Sequence, residues 1–310
     1  MNLLKEALTL DLVIRKWHGR KHDRDASAEI NALKKSDKRA ARVNRPIVPT
    51  SFLSAINAAE SAARSYEKNM TVPWMTARNM FPASQLFTIT HELNNFKARF
   101  ESAKQDLLNQ HSLLPAIAKQ HLGDMYNPDD LPSIAELEEK FSFEFHFEPV
   151  PQVDDWRATK INEMSTFAEQ YKQRCDKQTV EIDRYQIQDL LQALSAHLVD
   201  LPSAERVHSS RFEANINLAE RVLAKNALTS SPEVNRAAYF VINSLKGIDL
   251  SSVSKNRDQA IKATSLAIDF CNSQLEIING VRQPSQSSLH EMFNFKSNER
   301  PVYGLTASAS

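Results

Sequence analysis

Apolar and polar positions alternate with period two at two places in this chain. In LTLDLVIRKW, residues 8–17, Leu8, Leu10, Leu12 and Ile14 share one face of an extended segment, with Thr9, Asp11, Val13 and Arg15 opposite. In FSFEFHF, residues 141–147, the four phenylalanines Phe141, Phe143, Phe145 and Phe147 share a face, and Ser142, Glu144 and His146 the other. Both segments are predicted strands, the second ended by Pro149 and Pro151. Between Pro73 and Pro82, VPWMTARNMFP predicts a short strand or hairpin. Pairing of 141–147 with 8–17 or with 70–80 then makes a small antiparallel sheet.

Elsewhere the apolar residues step by three and four, the spacing that lines one side of a helix. After the Ser/Thr start of PTSFLSAINAAESAARSYEKN, Phe52, Ile56, Ala59 and Ala63 predict one helix, and Leu93, Phe96, Phe100, Ala103 and Leu107 a longer one that Pro115 limits. The second half reads as helical throughout. Its stripes are Ile187, Leu190, Leu191, Leu194 and Leu198, then Phe212, Ile216, Ala219 and Leu223. Two more follow: Val234, Ala237, Ala238, Val241, Ile242 and Leu245 after Ser231-Pro232-Glu233, and Ile261, Thr264, Ile268, Cys271, Leu275 and Ile278. These heptad-like stretches suit an intersubunit seam of a homo-oligomer as readily as an intramolecular one.

The expected class is predominantly α with a small antiparallel β-sheet (α+β), its long helices packed around or beside the sheet. Three regions are expected: residues 1–160 with the sheet and a basic segment, a helical region at 161–284, and a mobile or partner-docked tail at 285–310. The 310 residues, 42% hydrophobic, are enough to bury at least one full core. Two cysteines exclude a disulfide scaffold and point to a reducing compartment. The start has no leader-like signal and no stretch reaches membrane-spanning length, so the expectation is a soluble, cytoplasmic protein with no membrane partner.

Whole-chain charge is zero, with 38 Lys+Arg against 38 Asp+Glu, but it is segregated. From Arg15 to Arg45 eleven bases (Arg15, Lys16, Arg20, Lys21, Arg24, Lys34, Lys35, Lys38, Arg39, Arg42, Arg45) face four acids (Asp23, Asp25, Glu29, Asp37). Between Asp124 and Asp155 ten acids face only Lys140. The basic run is a candidate nucleic-acid surface, because each phosphate it neutralises releases condensed counterions. Trp17 lies within it as a candidate platform for base stacking, worth about 1–3 kcal/mol per base on a single strand. Tyr66, Lys68, Trp74 and Arg78 form a secondary candidate surface. Set against this, a charge run is commonly a solvated face, Trp17 suits a core anchor, and the acidic span is placed to cover the basic one or to recruit a basic partner.

Other chemistries find little purchase. Five glycines in the whole chain argue against a P-loop and a dinucleotide fingerprint. His18 and His22 would meet only on a helix, which Gly19 makes doubtful, and no further ligands are evident, so no metal is expected. Neither Cys175 with His197 or His208 nor the carboxylates of 124–155 make a catalytic constellation. The expectation is a protein that is not an enzyme and needs no cofactor.

The order LDLVIRKWHGRK, NRPIVPTSFLSAINAAESAARSYEKNMTVPW, MFPASQL before a long helix, and FSFEFHFEPV resembles a poorly characterised family of phage and proteobacterial proteins encoded beside MoxR-like AAA ATPases and von Willebrand A proteins. The likeness covers roughly residues 5–160 and implies a largely helical protein with a small sheet and no catalytic motif. The chain is also similar to the single-stranded-DNA-binding RNA polymerase cofactors of podoviruses. That resemblance implies a non-enzymatic protein that holds melted promoter DNA for a phage-encoded RNA polymerase in the bacterial host, a role in transcription regulation. The other family implies an adaptor working with an AAA ATPase and a von Willebrand A-type partner.

Overall fold

A computed structural model describes residues 6–38, 40–75, 78–150, 164–202, 208–248 and 257–281. In chain order its strands and α-helices are β1 (Ala7–Arg15), β2 (Arg20–Asp23), α1 (Arg24–Leu33), β3 (Val43–Pro46), α2 (Ser54–Met70), β4 (Val72–Trp74), β5 (Arg78–Pro82) and α3 (Leu86–Asn109). There follow α4 (Leu114–Leu122), α5 (Ile134–Glu139), β6 (Ser142–Pro149), α6 (Met164–Asp200), α7 (Ser209–Lys225), α8 (Pro232–Lys246) and α9 (Arg257–Ile278). The protein is mainly helical α+β, as its periodicities predict. Two compact units divide it, Met1–Ile182 with Ala224–Ser230 and Asp183–Leu223 with Ser231–Ser310, so the division falls inside α6 and not near residue 160. The tail expected from residue 285 lies outside the described residues.

In the first unit an antiparallel sheet runs in the order β4-β5-β1-β6. Its register places Leu10 opposite Phe147, Leu12 opposite Phe145 and Ile14 opposite Phe143, with Leu8 opposite Phe81 on the other side. Directly opposed residues point to one face, so the leucine and phenylalanine stripes form a single apolar surface. It joins Ile56, Ala59 and Ala63 of α2 and Ile89, Leu93, Phe100, Ala103 and Leu107 of α3 in one core. Phe100 meets Phe141 and Phe143 with ring centroids 6.3 and 5.7 Å apart, in inclined geometries that the ring quadrupoles favour.

The opposite face of the sheet is also covered. Ala7, Val72, Trp74 and Met80 pack there with Val150, Cys175, Ile182 and Leu228. Thr9, buried on this side, donates its hydroxyl to the Glu148 carbonyl at 3.2 Å, which satisfies the one polar group that the stripe would otherwise bury without a partner.

The second unit buries Ile187, Leu190 and Leu194 of α6, Phe212, Ala219 and Val222 of α7, Val234, Ala237, Ala238, Val241 and Leu245 of α8, and Ala260, Ala267 and Cys271 of α9. Phe240 and Phe270 stack at 4.2 Å, joining α8 to α9. His197 lies edge-on to Phe212 at 4.3 Å and takes an Asn215 amide bond at Nδ1. Burial holds its imidazole below the ordinary pKa, the Arg211 charge adds to this, and Asp200 opposes it. Among the described residues no helix is long and apolar enough to cross a membrane.

Candidate nucleic-acid interface

The basic segment begins where β1 ends. Gly19 turns the chain at φ +61°, and a Cβ there would meet Val48 Cγ2 at 2.8 Å and Leu53 Cδ1 at 3.0 Å, so both backbone conformation and space demand glycine. The Ile47 N–H bonds the Gly19 carbonyl at 2.7 Å, and β2 and β3 then pair as a separate two-stranded sheet. Within this charge-dense segment the chain thus forms a strand, a helix and a second strand.

Short polar side chains hold this piece together. Asp23 caps α1 by accepting the Ala26 N–H at 2.9 Å. Ser27, buried, accepts the Val43 N–H at 2.9 Å and so ties α1 to β3. Asn31, only 3% exposed, donates to the carbonyls of Lys38 and Ala41 at 3.1 and 3.2 Å and accepts the Ala41 N–H at 2.9 Å. One amide thereby organises the loop that carries Lys34, Lys35 and Lys38. An asparagine at a helical position three residues before a lysine pair was the available sequence signal for it.

Three of the predicted cations are internally neutralised. Lys16 Nζ lies 2.5 Å from Glu60 and donates to Asn57 Oδ1 at 2.6 Å, both on α2. Lys21 and Arg45 face each other across the β2–β3 register, and Asp130 receives both, Lys21 at 2.5 Å and Arg45 through Nη2. Arg45 also donates to the Met125 carbonyl at 2.7 Å and lies 3.7 Å from Asp23. Burial works to raise the Asp130 carboxyl, but the hydrogen bonds and charges of Lys21 and Arg45 outweigh it and hold the pKa below its usual value. Among the described residues the acidic span therefore meets the basic one through one carboxylate, Asp130.

Arg15, Arg20, Arg24, Lys34, Lys35, Lys38 and Arg42 are exposed, and among the described residues none makes an ion pair. Arg39 lies outside the described residues. The net positive character of the segment therefore survives folding, on the end of β1, on β2 and α1, and on the loop leading to β3.

The aromatic part of the expectation is corrected. Trp17 is 8% exposed and belongs to the core shared by the sheet, α2 and α3, so its ring faces no solvent on which a base would stack. The secondary set does not assemble either. Trp74 is 3% exposed in the core on the opposite side of the sheet, and Tyr66 packs on Phe96 at 5.4 Å, where burial and then Glu92 raise its phenol pKa. Arg78 is exposed but paired with Glu148, and Lys68 is exposed on α2. Both tryptophans follow the general tendency of large rings beside strands to supply core area.

Beside the Gly19 turn is a cavity of about 320 Å³, lined by Lys16, His18, Gly19, Arg20, Pro46, Val48, Thr50, Leu53 and Asn57. Its lining combines cationic and hydroxyl side chains with the apolar Pro46, Val48 and Leu53. His18 precedes β2 and His22 lies within it, its Nδ1 donating to the Val43 carbonyl at 3.0 Å, so the helical spacing a histidine pair would need is absent. Cys175 and Cys271 are both free and buried, and burial raises both thiols, Cys271 to about 12, far from the thiolate a nucleophile requires.

Compared with known proteins, the chain matches no family model, no curated protein and no solved structure.

Proposed function

We propose that the protein is a non-enzymatic DNA-binding protein that holds a single strand by its sugar-phosphate backbone. The observation that carries this reading is the set of seven exposed cations, Arg15 to Arg42, left without ion pairs among the described residues after Glu60 and Asp130 have neutralised their neighbours. They are spread over a strand end, a second strand, a helix and a loop instead of lining one helix or ribbon. A single strand follows such an irregular surface more readily than a duplex, which is stiff over about 150 base pairs. With Trp17 and Trp74 in cores, affinity is electrostatic and sequence-tolerant. A transcription cofactor that presents melted promoter DNA to a phage-encoded RNA polymerase is the role this mode of binding supports, together with the resemblance of the chain to the single-stranded-DNA-binding RNA polymerase cofactors of podoviruses.

Fluorescence anisotropy with a labelled single strand and the matched duplex tests it. The single strand binds more tightly, at low salt, and weakens steeply as salt rises. Equal binding of the duplex would overturn the single-strand assignment. Failure to retain either would remove DNA binding and leave the adaptor role beside an AAA ATPase and a von Willebrand A partner, which co-purification from the native host would then reveal.

A further inference from the structure

We propose that the cavity beside the Gly19 turn is a binding site for a phosphate monoester, the terminal phosphate of a DNA strand or that of a free mononucleotide. The strand form rests on the DNA-binding reading above; the mononucleotide form does not.

Size sets the first limit. At about 320 Å³ the cavity lies at the small end of ligand sites, and a phosphate with its sugar fits that volume. The walls match such a group. Lys16 is held in place by Glu60 at 2.5 Å and Asn57 at 2.6 Å, so its ammonium is positioned before any ligand arrives. Arg20, on the same cavity, is exposed and makes no ion pair among the described residues, which leaves one positive charge on the wall uncompensated. Thr50 adds a hydroxyl and His18 an imidazole. Pro46, Val48 and Leu53 supply an apolar floor against which a sugar ring packs.

This donor set suits a monoester better than a backbone diester. A terminal phosphate carries close to two negative charges at neutral pH and offers three acceptor oxygens, whereas an internal linkage carries one charge and offers two. The Arg20 guanidinium, the Thr50 hydroxyl, the His18 imidazole and the one N–H that Lys16 keeps after Glu60 and Asn57 together offer a donor to each of three oxygens. The Gly19 Cα borders the cavity, and a side chain there would press on Val48 and Leu53, so the glycine keeps the floor in place.

The test compares a single strand bearing a 5′-phosphate, one bearing a 3′-phosphate and one with two hydroxyl ends, with a deoxynucleoside monophosphate and inorganic phosphate as competitors. The wild-type protein prefers one phosphorylated end by about tenfold, the scale of one charge-assisted hydrogen bond. Arg20→Gln abolishes that preference. Lys34→Gln, which removes an equally exposed cation that does not line the cavity, weakens all three strands and keeps the preference. Equal binding of all three strands without competition from the monophosphate overturns the cavity assignment and leaves DNA binding intact. Capture of the monophosphate without retention of any strand supports the cavity and overturns the DNA reading. Loss of the preference in Lys34→Gln as well as Arg20→Gln would also overturn the cavity assignment, because the effect would then be one of general charge.

Discussion

Replacing Asp130 by asparagine should make the protein less stable and its grip on DNA stronger. The carboxylate, its side chain 3% exposed, is the shared acceptor of Lys21 and Arg45, which face each other across β2 and β3. Asparagine keeps the shape, loses the charge and can still accept a hydrogen bond. A buried bond to a charged group is worth about 1.5–3 kcal/mol, which applies to Arg45, whose side chain is 20% exposed. The Lys21 side chain is 48% exposed, so its share is discounted to about 1 kcal/mol or less. Adding the repulsion of two like charges left opposed, a few tenths of a kcal/mol, the loss comes to about 3 kcal/mol. In a unit of this size that lowers the first unit's thermal transition by about 6–12 °C.

The pH dependence has a definite sign. Asp130 has a lower pKa folded than unfolded, so at acid pH the unfolded chain binds the extra proton first. Its contribution is complete above the ordinary carboxylate range, about pH 4, and disappears as the pH falls through the lower folded value. Denaturation melts of wild type and Asp130→Asn should therefore diverge near neutrality and converge in acid. At the same time the freed Lys21 should steepen the salt dependence of single-strand binding by about 0.7, the share of one phosphate, while Arg45 stays with Asp23 and the Met125 carbonyl. Unchanged melting near neutrality, or a stability gap that persists in acid, would refute this account of Asp130. Weaker DNA binding by the folded variant would refute the assignment of Lys21 to the DNA surface.

Three further outcomes follow from the same geometry. Trp17→Ala should cost about 3–5 kcal/mol in chemical denaturation, as for other buried aromatics, while Trp17→Phe, which refills much of the space, should leave single-strand affinity unchanged; a selective loss of affinity in folded Trp17→Phe would restore a stacking role. Cys271 and Cys175 should resist iodoacetamide in the native protein and label on unfolding, read by mass spectrometry, and fast native labelling would contradict their burial. Asn31→Ala should leave three backbone groups of the 38–41 loop without their partner and cost about 1–3 kcal/mol, with faster amide exchange at Ala41 as the local readout.

Where the apolar pattern is dense, the fold was legible. The β1 and β6 stripes predict their pairing face, and the six apolar positions of α8 are all buried as their spacing requires. In α9 the buried face is Ala260, Thr264, Ala267, Cys271 and Gln274, so the predicted stripe is shifted: only Thr264 and Cys271 are shared, and Ile261, Ile268, Leu275 and Ile278 flank it half-buried. Small residues fill most of this buried face, and a reading that weights large side chains displaces its centre. Strands β2 (RKHD) and β3 (VNRP) escaped notice because they have almost no apolar residues to alternate; backbone pairing and the Ser27 and Asn31 bonds hold them. Charge segregation located the basic surface, but which cations remain exposed depended on Asp130 and Glu60, 85 and 44 residues away from the Arg45 and Lys16 they meet. Nothing in local spacing reveals such distant partners, nor that Trp17 turns inward.

The central claim, that exposed unpaired cations between Arg15 and Arg42 receive a phosphate backbone, is tested most directly by the salt dependence of single-strand binding. Seven contacts at roughly 0.7 each give a log–log slope of about −5 at most, and replacing Arg20, Arg24, Lys34 and Lys35 by glutamine should reduce it to about −2 in a protein that still melts like wild type. A wild-type protein that retains no single strand at low salt, or a slope that the four substitutions leave unchanged, would contradict it.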